Sequence, residues 1–159
     1  ASPTSVFAAE HVALGIAIPK SMRVRHDRLA LTLDTLDELW SPTRRGELAT
    51  FPLQDPRPLV ILGVNSHELA RMAGSRTDGV NIRASHPHRG EILASGIAAA
   101  TSCDRSGFIV SVWEWFDDVL LDPASTERHE LEKDGVNRLV LVMRGAPDMA
   151  QIRRAASRF

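Results

Sequence analysis

PRPLVILGVNSHELARMAGSRTDGVNI, residues 56–82, is the stretch whose reading decides the fold. Leu59 to Val64 is a continuous apolar run without polar alternation, the pattern of a strand buried on both faces. Asn65 then stands three residues before Glu68, the spacing of a capping box at a helix start. Leu69, Met72 and Ala73 recur at helical spacing and make an apolar face. Asp78 and Gly79 close the helix, and Val80 to Ile82 opens a second, weaker apolar run. Strand, helix and strand in so short a stretch read as a βαβ unit.

The same alternation extends to both sides. Further apolar runs are Val12 to Ile18 (VALGIAI), Phe108 to Trp113 (FIVSVW) and Leu139 to Met143 (LVLVM). Between them, Asp27 to Trp40 aligns Leu29, Leu33, Leu36 and Trp40 on one stripe, and Pro42 stops it. Gly90 to Thr101, Ser125 to Lys133 and Met149 to Arg158 read as further helices. This order predicts a parallel sheet covered by helices. Two α/β architectures meet it: an incomplete (β/α)8 barrel, or an open doubly wound sheet. A full barrel takes about 250 residues, so five strands in 159 residues do not close one. The chain reads as a single domain over 1–159, interrupted by Ser41 to Pro58. That segment holds four prolines and no apolar period, and is an irregular loop or a place where residues are missing.

Composition narrows the classes. Hydrophobic residues make up 43% and charged residues 25% of the chain, the balance of a globular protein. A formal net charge of −1 gives no electrostatic footprint for nucleic acid. No apolar run approaches the roughly 20 residues of a membrane helix. The single Cys103 excludes an internal disulfide, which points to a reducing, cytoplasmic setting.

Three segments carry a resemblance. LGIAIPKSMRVRHDRLALTLDTLDEL, residues 14–39, resembles a passage of the bacterial-luciferase-like monooxygenases. There a barrel strand with a glycine bulge leads through an Arg-His pair, here Arg25-His26, into a helix with an A-x-x-x-x-T-L-D-x-L pattern. Ala30, Thr35, Leu36 and Leu39 match that pattern; Asp27 stands where the family commonly has proline. Residues 56–82 resemble the family's strand that ends at the cofactor phosphate, with its helix and the "A-D-G" start of the next strand. KDGVNRLVLV, residues 133–142, resembles the run into the last barrel strand. The family's first two strands have no counterpart here. That gap, the replaced segment 41–58 and the missing initiator methionine suit a fragment.

The resemblance implies a flavin- or deazaflavin-dependent oxidoreductase acting on a small molecule. Its cofactor would be flavin mononucleotide (FMN) or the deazaflavin coenzyme. Gly63, Val64, Asn65 and Ser66 match positions that help hold the cofactor phosphate. Their bare chemistry agrees, because a helix start offers free N–H groups and a positive dipole end; a plain helix cap with nothing bound reads equally well. Gly15 marks a bulge, and the resemblance implies a non-prolyl cis peptide near Ala17-Ile18 backing the cofactor ring. A shortened, non-catalytic barrel homologue is the alternative, and its open edges would call for a homodimer.

Other residues are weighed on chemistry alone. His86-Pro87-His88 lacks a third ligand, so no metal site is expected and His86 is placed at a substrate pocket or on a surface loop. Trp113 and Trp115 share one side of a strand, where they wall a substrate pocket or pack beneath the next helix. Glu114, Asp117 and Asp118 read as caps. His26 and His129 read as helix surface residues. The tetrapeptide Asp-Gly-Val-Asn occurs at 78–81 and again at 134–137. In both copies the glycine is expected to give the left-handed turn that ends a helix. Both junctions are placed at the amino ends of strands, away from the active-site rim.

Overall fold

Four short strands pair in parallel: β1 (Ile61–Gly63), β2 (Gly79–Arg83), β3 (Ile109–Trp115) and β4 (Arg138–Val142). Their spatial order is β1-β2-β3-β4, with no reversal. The computed structural model describes residues 8–50, 52–146 and 148–157. Contacts divide the chain into two compact units, Ala1–Pro58 and Leu59–Phe159, where the sequence suggests one domain. The architecture of the second unit is α/β.

Register fixes the two faces of this sheet. Leu62 pairs with Val80, Val80 with Val110, Ile82 with Val112 and Val112 with Leu139. Because side chains alternate, this row meets the helices α3 (His67–Arg76) and α4 (Arg89–Ser102). Val80, Ile82, Val112, Ala70, Ala73 and Leu93 are all nearly inaccessible and form the centre of the core. The two helices cross closely because both carry glycine there. A Cβ on Gly74 would collide with the Gly96 carbonyl and lie 2.8 Å from the Ala99 Cβ. Arg105 secures the end of α3 by donating to the Ser75 carbonyl at 2.7 Å. The helices α5 (Thr126–Lys133) and α6 (Met149–Ala156) complete the unit, with a 3-10 turn at Asp118–Leu121.

In the first unit the expected strand at Val12 to Ile18 is absent. Helix α1 (Ala8–Ala13) stands there instead. Gly15, at φ +68°, ends it as the left-handed residue. The Ile16 amide donates to His11 and the Gly15 amide to Val12, the paired bonds of a Schellman motif. The glycine that reads as a bulge is therefore a helix terminator. Alanines on both sides favour a helix locally, and among the described residues no strand pairs with the segment to override that preference. Helix α2 (Met22–Leu39) starts five residues before the expected Asp27, because Ser21 caps it by accepting from the Val24 amide. His26, expected on the surface, is buried within it at 7% exposure. The proline-bearing segment includes a 3-10 turn, Gly46–Thr50.

The two copies of Asp-Gly-Val-Asn are used differently. Gly135 has φ +79° and makes the left-handed turn after α5. Gly79 lies inside β2 and has no such φ; it is glycine because a Cβ would stand 2.6 Å from the Ile109 carbonyl oxygen. Each copy also stitches neighbouring strands. The Asp78 carboxylate accepts from the Val60 amide at 2.8 Å, and the Asn137 side chain accepts from the Val110 amide at 2.9 Å.

Candidate functional site

The carboxyl ends of β2, β3 and β4 open onto a cavity of about 650 Å³. Ligands of α/β sheets bind outside this edge, and the volume suits a small organic molecule. Trp115, Phe116, Leu120, Leu131 and Met143 give it apolar walls, and Ser85, Arg89, Glu114, Asp117, Glu127, Glu130 and Arg144 give polar ones.

Glu114 organises the rim. It sits on the helix-facing side of β3 at the sheet edge, and its side chain is only 16% exposed. Arg83 donates to both its oxygens, the Ser85 amide to Oε2 at 3.1 Å and the Trp115 amide to Oε1 at 3.1 Å. Burial alone would raise its pKa. The bonds from Ser85, Arg83 and the Trp115 amide outweigh burial and hold the pKa down at about 2. Glu114 is thus a fixed anion that shapes the loop after β2, and not the helix cap the sequence suggests. Asp117 is a cap, accepting from the Val119 amide at 3.0 Å.

Trp113 and Trp115 do share one side, their rings edge to face at 6.1 Å. Trp115 lines the cavity; Trp113 does not. Arg83 stands over the Trp113 ring at 5.4 Å and Arg144 over the Trp115 ring at 4.8 Å, both within cation–π range. Arg89 holds the floor. It pairs with Asp134 at 2.7 Å and donates to the Ala84 carbonyl, so the second Asp-Gly-Val-Asn copy braces a lining residue without itself lining the cavity. His86 lies in an adjoining groove of about 450 Å³ with His88, Glu91 and Asp134, which shares Ala84, Ser85 and Arg89 with the cavity.

The expected phosphate residues are adjacent to this site but outside it. Gly63 ends β1, beside Asn81 of β2. A Cβ on Gly63 would meet no atom within 4 Å, so the chain leaves open space there. Val64 is buried and donates to the Asn81 carbonyl. The N-cap of α3 is Ser66, whose hydroxyl accepts from the Leu69 amide at 3.4 Å. It is not Asn65, which is exposed; a hydroxyl one residue later takes the cap, so the capping-box spacing does not apply. Ala17 and Ile18 lie in irregular chain after α1, and the Ala17 carbonyl accepts from Arg28 at 3.0 Å. The cis bond among the described residues is Asp55-Pro56, not Ala17-Ile18.

Sequence reasoning missed Arg83, Ser85, Arg89, Glu127, Glu130 and Arg144. Polar residues just after apolar runs mark a strand's carboxyl end, but only the register shows which of them converge. No family model, curated protein or solved structure matches the chain.

Proposed function

We propose that the chain contributes consecutive strands of a luciferase-like barrel and serves a flavin- or deazaflavin-dependent oxidoreductase. The observation that carries this reading is the strand order. Four parallel strands follow one another without reversal, as in a (β/α)8 barrel, whereas a doubly wound sheet reverses at a switch point. The cavity at the carboxyl ends is where such a barrel takes its substrate.

The phosphate end of the cofactor fits what the chain offers. Open space in front of Gly63 admits a group close to the backbone, and the first turn of α3 supplies N–H donors. The ring end does not fit as expected, because Ala17 and Ile18 present no strand edge and no cis peptide. The bound cofactor would carry the redox chemistry. The chain's own part is to hold the phosphate at Gly63 to Ser66 and to seat the substrate against Trp115. Titrating the full chain with FMN and with the deazaflavin coenzyme, followed by visible absorbance, tests this. Saturable binding of one of them is expected; failure of both to bind contradicts the reading.

A second reading is favoured by the same ring-end mismatch and by the sheet edges. β1 and β4 each pair with one strand among the described residues. A non-catalytic binding module that dimerises along such an edge would show twice the chain mass in sedimentation and bind neither cofactor.

A further inference from the structure

We propose that the cavity at the ends of β2, β3 and β4 binds an organic cation, an amine or quaternary ammonium with an aromatic or branched apolar body. This deepens the substrate-pocket reading above, and it concerns the cavity alone.

The cavity lining carries uncompensated negative charge. Two ionised groups in the lining are already neutralised inside the protein: Glu114 by Arg83 and Arg89 by Asp134. Three acids in the lining, Asp117, Glu127 and Glu130, have no ion-pair partner among the described residues. Glu127 and Glu130 lie one turn apart on the face of α5 that borders the cavity. The remaining lining cation is Arg144, which is exposed and set over the Trp115 ring at 4.8 Å. An excess of negative charge beside an indole face is the chemistry that recognises ammonium groups. Arg144 holds that ring face from within the chain, so a ligand cation would displace it. Phe116, Leu120, Leu131 and Met143 then receive the apolar body.

The test uses the full chain without cofactor, so that it is separate from cofactor titration. Phenethylammonium and phenylpropionate, matched in size and opposite in charge, are titrated by calorimetry and by tryptophan fluorescence. Phenethylammonium is expected to bind at least about tenfold more tightly, to weaken as salt is raised, and to lose its fluorescence response in Trp115→Phe. Glu127→Gln with Glu130→Gln is expected to weaken it about tenfold, with helix content unchanged by circular dichroism. Arg144→Ala is expected to bind it at least as tightly. Equal or preferred binding of phenylpropionate, no binding of the cation, or weaker cation binding in Arg144→Ala would each overturn the proposal. The comparison of the two probes on the unaltered protein decides it even if a variant misfolds.

Discussion

In the folded protein Glu114 keeps its charge well below the usual carboxylate range, because Arg83 and the Ser85 and Trp115 amides donate to it. Its carboxyl titrates at 4.5 in the unfolded chain and at about 2 in the folded one. The unfolded state thus takes up the proton first as pH falls, and the stability Glu114 contributes is fully present above 4.5 and lost on the way to 2. Arg83 is half exposed, so solvent screens the pair and the contribution is about 1 kcal/mol. The urea midpoint should fall between pH 5 and pH 2.5, and Glu114→Gln should flatten part of that fall; an identical profile in the variant would count against the clamp. Gly74 gives a second residue-scale expectation, in which two effects oppose each other. Alanine in mid-helix gains about 1 kcal/mol over glycine by propensity, while overpacking costs about 1–3 kcal/mol. The collision with the rigid Gly96 carbonyl means overpacking wins, so Gly74→Ala should lower the melting temperature. At this scale the sequence was only partly legible. The paired use of Gly135 as a left-handed turn could be read from its neighbours. Gly79 could not, because what excludes its side chain is Ile109, a residue far along the chain.

Elements were legible where tertiary packing agreed with local pattern. The apolar runs at Leu59, Val80, Phe108 and Leu139 became β1 to β4, since each meets α3, α4 or another strand along its length. The run at Val12 failed because its apolarity is not matched by burial: Val12 and Leu14 are each 74% exposed. Without a neighbouring strand, the hydrogen bonds of the segment are satisfied within α1, and Gly15 ends it. Helix starts were legible to within a residue or a few, as caps compete: Ser66 displaces Asn65, and Ser21 displaces the region of Asp27. Ser66→Ala removes the acceptor for the Leu69 amide, and should cost about 1 kcal/mol in chemical denaturation. Ser66→Asp should restore that stability, and a Ser66→Ala chain as stable as the parent would show that the cap contributes nothing.

Across the whole molecule, a one-way parallel sheet leads to a cavity at its carboxyl edge, and Gly63 lies on the same edge one strand away. The alternation of strands and helices made the α/β class legible. The convergence of Glu114, Arg83 and Ser85 was not, because it depends on a register that pairs Arg83 with Trp113. We propose that the space before Gly63 receives a cofactor phosphate. Gly63→Val projects a branched side chain into that space, where nothing lies within 4 Å of the added Cβ. The most direct measurement is therefore the dissociation constant of FMN and of the deazaflavin coenzyme for the parent chain and for Gly63→Val, with folding checked by circular dichroism. The expected result is binding by the parent and at least about tenfold weaker binding by a folded variant. Equal affinity in the two chains, or no binding by the parent, would contradict it.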